Sequence, residues 1–263
     1  MTDDLTHRMF KITVEEEGPL GTMEVVLDFP QAMDDRRLTL WNVMMQRTFV
    51  LLTWAGGTGG DVVSPLDTRI NLLDFYSEEV QGTTIATWIF EKMHIDRAAL
   101  RIICNLIDHA TYNIGVGDEL IGSPVAEVVF VTRDHAKLDL DKLPFPKCWA
   151  SLPFEIVDYE PETGDFDIEI EFKKPPTPAI LDQFQTMVTP WLTTLEKGGF
   201  LGHPLQSWKF GLDTSEEPFQ QTAASLIIRI RDFYSDYAAL DCLYNVLVRA
   251  HQIHPIATVT LGE

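Results

Sequence analysis

Gly164-Asp165-Phe166-Asp167-Ile168-Glu169-Ile170-Glu171-Phe172 alternates acidic and apolar residues from its second position to its last. A period of two is the period of a β-strand. The stretch therefore predicts a strand that buries Phe166, Ile168, Ile170 and Phe172 and turns Asp165, Asp167, Glu169 and Glu171 to solvent. Moved back by 143 positions it lies over Gly21-Thr22-Met23-Glu24-Val25-Val26-Leu27-Asp28-Phe29. The same shift sets Leu181 on Leu38, Phe184 on Trp41, Met187 on Met44 and Gly199 on Gly56. Further on the shift becomes 140, with Ala238-Ala239-Leu240 over Ala98-Ala99-Leu100, Asn245 over Asn105, Ala250 over Ala110 and Gly262 over Gly122. Order, spacing and residue type stay in step through a strand, a long helix, a Gly-rich loop and a second helix, so the chain reads as a tandem repeat.

Charge divides in the same way. The 263 residues carry 40 Asp and Glu against 20 Lys and Arg, a formal net charge of -20. Residues 1–122 hold 19 acids and 9 bases, residues 152–263 hold 17 and 7, and residues 123–151 hold 4 of each. The acidity belongs to both repeats and not to a tail. A surface this acidic repels phosphates and anionic lipid, which excludes nucleic acid and membrane as expected partners. At 45% hydrophobic and 10% aromatic residues the composition is that of a folded domain, not of a disordered chain. Cys104, Cys148 and Cys242 form no CxxC pair, and no apolar signal core follows the acidic start Met1-Thr2-Asp3-Asp4. The expectation is a cytoplasmic protein with reduced thiols.

Each repeat opens with two strand-like runs, Phe10–Glu15 and Met23–Phe29, then Phe154–Tyr159 and Asp165–Phe172. Gly and Pro between them suggest hairpin turns. A long helix follows, from about Asp34 to Trp54 and from Thr177-Pro178 to Gly198-Gly199. The second carries an N-cap, Pro at the first position and a glycine stop, and Pro190 predicts a kink or break inside it. Two strands come next, near Arg69–Leu73 and Thr83–Glu91, with counterparts near Trp208–Asp213 and Ala223–Arg231. Asp96 and Asp236 then cap a second helix in each repeat, Asp96–Tyr112 and Asp236–His251. Ile256–Leu261 is the last strand of the second repeat; in the first, Val116–Ile121 and Ala126–Thr132 both qualify. The order β-α-β-β-α-β, with an extra N-terminal strand, resembles the ferredoxin-like split βαβ plan. The expected fold class is thus α+β, a tandem of two such units packed as a pseudo-symmetric pair with antiparallel sheets. Boundaries fall at residues 8–122 and 152–262, with 123–151 as a connecting segment.

No residue set reads as a catalytic centre. Trp54-Ala55-Gly56-Gly57-Thr58-Gly59-Gly60-Asp61 is glycine-rich but follows a helix and lacks a closing Gly-Lys-Ser/Thr, so it reads as a helix stop. His251 and His254 sit three residues apart at a helix end without the third and fourth ligands that zinc needs. Asp108 and His109 are adjacent, hence about 100° apart on a helix. Glu15-Glu16-Glu17 reads as a solvated turn. Cys148, beside Lys147, is a weak candidate nucleophile. No metal and no cofactor is expected.

The extended feature is the acidic row. Asp165, Asp167, Glu169 and Glu171 would stand about 6.7 Å apart on one strand face. Glu24 and Asp28 hold the equivalent face of the first repeat, with Val26 between them. The row is either a plain solvent face or an epitope for a basic protein, whose cations would relieve the mutual repulsion. The leading expectation is a non-enzymatic acidic protein that binds and neutralises a basic partner. In type, though in no specific motif, the chain resembles bacterial immunity proteins, which block toxic effector enzymes. The alternatives are a small-molecule binder or enzyme with a pocket between the repeats, lined by Trp41, Trp54, Trp88, His94 and His109, and an interaction module that uses exposed sheet edges.

Overall fold

The Asp34 carboxylate accepts the backbone N–H of Arg37 at 2.8 Å and starts the helix Asp35–Trp54. Thr177 caps Pro178–Glu196 by accepting from the N–H of Ile180. Asp96 accepts the N–H of Ala99 at 2.8 Å at the head of Arg97–Tyr112. Gly56 and Gly198, at φ 80° and 78°, end the first and third helices in the left-handed region that glycine enters without strain. In the computed structural model, residues 10–15, 22–56, 72–91, 94–112, 124–132, 137–139, 151–159, 166–200, 218–230 and 237–262 are described. Their elements are β1 Lys11–Glu15, β2 Thr22–Phe29, α1 Asp35–Trp54, β3 Leu72–Val80, β4 Thr83–Glu91, β5 His94–Asp96, α2 Arg97–Tyr112, β6 Glu127–Thr132 and β7 Lys137–Asp139. They continue with β8 Glu155–Asp158, β9 Phe166–Phe172, α3 Pro178–Glu196, β10 Phe219–Gln221, β11 Ser225–Ile230, α4 Tyr237–His251 and β12 Ile256–Leu261.

The fold is α+β, with two five-stranded mixed sheets and four helices among the described residues. The first sheet runs β1-β6-β2-β4-β3 and the second β8-β12-β9-β11-β10; β5 and β7 form a small parallel pair. In each large sheet the first strand lies parallel to the last, and every other neighbour is antiparallel.

Several expectations change here. The first two strands of each repeat are not a hairpin, because β6 inserts between β1 and β2 and β12 between β8 and β9. That insertion also makes the sheets mixed and not antiparallel. The closing strand of the first sheet is Glu127–Thr132, inside the segment assigned to the connection, so the sheet runs past residue 122. Val128 faces Leu27 as Val259 faces Ile170, a separation of 131 in place of 140; Gly122 and Val116–Ile121 lie outside the described residues. The strand expected at Arg69–Leu73 is centred further on, at Leu72–Val80. Its acids Asp74, Glu78 and Glu79 hide the apolar alternation, since an edge strand has little to bury. Trp208–Asp213 and Asp236 fall outside the described residues. Pro190 does not break α3, which is continuous through it; the missing N–H simply forgoes one ladder bond.

One face of each sheet supplies core residues. Met23, Val25, Leu27 and Phe29 are buried from β2, and Ile168, Ile170 and Phe172 from β9. Trp41 meets Phe29 and Phe49 meets Phe90 under the first sheet, and Phe184 meets Phe172 edge-on under the second. The helices of the two halves pack on one another, α1 against α3 and α4. Thr48 and Thr194 hydroxyls share a buried hydrogen bond of 3.1 Å, and Arg47 donates to Thr193 at 3.1 Å. At the 140-residue shift Ile102, Ile103, Leu106 and Ile107 match Cys242, Leu243, Val246 and Leu247, all buried.

Two amides cross between the halves. Asn245 of α4 donates to the carbonyl of Ala55 at the end of α1, at 2.7 Å. Asn105 of α2 donates to the carbonyl of Gly199 just past α3, at 3.2 Å. A helix end leaves carbonyls without an intrahelical partner, and burial makes their satisfaction costly to lose. Asn245→Ala is therefore expected to lower stability by about 1–3 kcal/mol, read as a lower urea midpoint with an unchanged slope. A midpoint equal to that of the parent chain would show that the Ala55 carbonyl does not depend on this amide.

Candidate interaction surface

β9 is the central strand of the second sheet, flanked by β11 and β12. Its alternation places Ile168, Ile170 and Phe172 in the core, with Asp167 and Glu169 half-buried and Glu171 exposed on the opposite face. Asp165 lies outside the described residues. The acids do not stand as an unscreened row. Arg229 faces Asp167 across β11 with Nε 3.8 Å from Oδ2, a surface pair of small energetic value. The Ser225 hydroxyl donates to Glu169 at 2.7 Å and exchanges a second bond with Thr222. Glu171 sits opposite Ser225 on one side and Thr258 on the other.

Glu24 and Asp28 lie on the equivalent face of β2, in the other sheet, so the structure does not join the two sets into one surface. Both are half-buried, and their neighbours are largely apolar. Val26 stands between Thr87 and Val129, Glu24 between Ile89 and Val131, and Asp28 between Ile85 and Glu127. Glu127 is held by the ammonium of Lys11 at 2.8 Å and by the Thr13 hydroxyl, which keep its carboxyl below the usual carboxylate range. The first sheet thus presents an apolar band with acids around it. Sequence reading missed this, although Thr83–Glu91 carries apolar residues at both parities, which is the signal of a strand with two apolar faces.

The tryptophans considered for a pocket are buried. Trp41 and Trp88 are fully buried beneath the first sheet, and the Trp88 indole donates to Asn42 at 2.9 Å. Trp54 is buried at the end of α1, and His109 lies against the backbone of Gly198. The side chain of His94 is outside the described residues. Where the halves meet, α1 and α3 touch directly through Thr48 and Thr194.

Other singled-out groups serve the fold. Nδ1 of His251 accepts the N–H of Ile256 at 3.0 Å, and Nε2 of His254 lies 2.9 Å from the carbonyl of Lys174. Among the described residues no group of three or more His, Cys, Asp or Glu side chains is placed to hold a metal ion. Cys104 and Cys242 are buried; Cys148, Glu16, Glu17 and residues 57–61 lie outside the description. No described helix is long and apolar enough to cross a membrane.

No family profile matches the chain, and no curated protein matches it. Among solved structures it is similar to the periplasmic protease PqqL from Escherichia coli, at 9% identity and a TM-score of 0.20, over 91% of this chain and 35% of that one. The chain spans about a third of that protein's length, and so low a score carries no inference about activity.

His251 gives a pH dependence whose sign follows from its contacts. Burial first, and Lys173 second, hold its imidazole below the usual histidine value. Its neutral form is the one that accepts from Ile256. This stabilisation is present above the unfolded value near 6.5 and is lost as pH falls through the lower folded value. Urea midpoints should therefore drop more between pH 7.5 and 5 in the parent chain than in His251→Gln. Equal drops would show that the imidazole does not titrate with unfolding.

Proposed function

We propose that the chain is a non-enzymatic binding protein that captures a basic protein partner, and that its biological setting is that of a bacterial immunity protein blocking a toxin effector in the cytoplasm. On this reading its two units are ferredoxin-like repeats with an added N-terminal strand, the first unit extended to Thr132. The strand orders support that plan: without β1 and β8 each sheet places the last strand beside the first, and the third between first and second.

One observation carries the binding reading. The middle strand of an open sheet face bears Asp167, Glu169 and Glu171 on its outer side while its inner side is locked into the core. Opposite charge speeds encounter and directs it, which suits an inhibitor that must find a cationic target quickly. With a net charge of -20 spread over both halves, long-range attraction acts from either side. The Arg229 and Ser225 contacts leave Glu171 as the most accessible of the three acids.

Reversing Asp167, Glu169 and Glu171 to Lys tests the proposal. Fold stability should change by about 0.5 kcal/mol at exposed Glu171 and by more at half-buried Asp167 and Glu169, where the reversals take the acids from Arg229 and Ser225. Cells that co-express the reversed chain with a basic effector that the parent chain neutralises should lose protection. The association rate should fall, and its dependence on salt should flatten. Protection and affinity that survive the triple reversal at physiological salt would remove this face from the function.

A further inference from the structure

One sheet edge differs from the other three. The outermost strands are β1, β3, β8 and β10, of five, nine, four and three residues. β3 pairs with β4 alone among the described residues, and its counterpart in the second sheet, β10, is a third as long. Leu73, Tyr76 and Val80, at 57%, 44% and 42% exposure, are half of the large hydrophobic side chains that the described surface exposes.

The backbone direction of β3 is set by its turn. Gln81 and Gly82, at φ 53° and 86°, join β3 to β4 as a two-residue loop with both central residues left-handed. Such a loop makes Val80 and Thr83 a hydrogen-bonded pair. Alternation then points the N–H and C=O groups of Val80, Glu78 and Tyr76 at β4, and those of Glu79, Ser77 and Phe75 outward. The Phe75 N–H agrees, since it donates to the Asp74 carboxylate at 2.8 Å and not across the ladder. Ser77 and Glu79 are left with outward main-chain groups on a strand held rigid by a tight turn.

The charge of this edge selects what fits it. Leu72–Val80 carries Asp74, Glu78 and Glu79 and no Lys or Arg. Natural edges are usually blunted by lysine, proline or a bulge; here an irregularity occurs only at Leu72/Asp74. A second copy of the chain would bring three more acids alongside these, which is unfavourable across adjacent strands. A segment with Lys or Arg alternating with apolar residues would set its cations beside Asp74 and Glu78, their aliphatic stems along Tyr76 and Val80 on the same face, and its apolar side chains beside Phe75 on the other.

We propose that β3 is a docking edge that adds an extended basic segment of a protein partner as a sixth strand of the first sheet. This rests on the reading of the chain as a binder of basic protein and adds a specific contact at the β3 edge to the attraction exerted by the β9 face. Main-chain bonds at Ser77 and Glu79 supply the register, and the acids supply the preference for cations.

The test uses the full chain and the capped peptide acetyl-(Lys-Val)4-amide as probe. Saturable binding should slow amide hydrogen exchange at Ser77 and Glu79. Ser77→Pro removes one outward N–H without touching the β4 ladder and suits an edge position; it should weaken binding at least tenfold, whereas Ser77→Ala should bind as the parent does. The peptide acetyl-(Glu-Val)4-amide should not bind. Should Ser77→Pro fail to fold, a Lys-Val peptide N-methylated at alternate residues should lose affinity for the parent chain by a similar factor. Binding that leaves the Ser77 and Glu79 amides unprotected, or that survives both Ser77→Pro and N-methylation, overturns the proposal. Protection mapped to β9 instead would keep the basic-partner reading and discard this edge; no binding at any salt would discard both. Protection of β3 without peptide, in a dimer that Ser77→Pro dissolves, would make the occupant a second copy and likewise overturn it.

Discussion

Each half of this protein ends its first helix on a hydrogen bond from the other half. The Asn245 amide reaches the Ala55 carbonyl, and the Asn105 amide reaches the Gly199 carbonyl, both within the buried interior. A buried carbonyl that has left water must be met by a donor, or most of its desolvation cost stands. Neither half carries that donor in these two bonds for its own helix. The exchange therefore ties folding of one half to the presence of the other. It also requires close approach at the chain reversal: a Cβ on Gly199 would come within 2.6 Å of the Thr194 side chain, and one on Gly198 within 2.5 Å of the His109 ring. Two small residues at the end of α3 are the steric condition for the second amide to arrive.

With the helices committed to one another, the sheets are what the fold leaves facing outward. Their outer faces have diverged although their strand orders agree. The second sheet shows acids tied to Arg229 and Ser225, while the first shows Val26, Ile85, Ile89, Val129 and Val131 among acids. On the reading of the chain as a binding protein proposed above, the first sheet supplies the apolar centre of an interface and the second the electrostatic attraction. The edges have diverged further, with nine residues in β3 against three in β10.

Local signals located most elements. Asp96 and Thr177 are caps at the positions where their hydrogen-bonding logic placed them, and Gly56 and Gly198 stop the helices at positive φ. Each of these depends on neighbours within four residues. β3 was misplaced because a strand exposed on both faces carries no alternation to read; Asp74, Glu78 and Glu79 look like loop residues until β4 is seen beside them. The acidic row was legible as a face, yet the Arg229 opposite Asp167 comes from a strand about sixty residues away and left no trace in the alternation.

The α+β class, the alternation of β9 and the approximate boundaries of α1 to α4 were already contained in the order of residues, because periodicity and capping are properties of short stretches. Pairing was not. The insertion of β6 between β1 and β2, and of β12 between β8 and β9, joins segments about a hundred residues apart and reverses the expected hairpins. The same holds for the crossing of Asn105 and Asn245 between halves. Such contacts are chosen by which arrangement buries both helices of each half and satisfies every buried carbonyl together, a condition on the whole chain that no single stretch of it expresses.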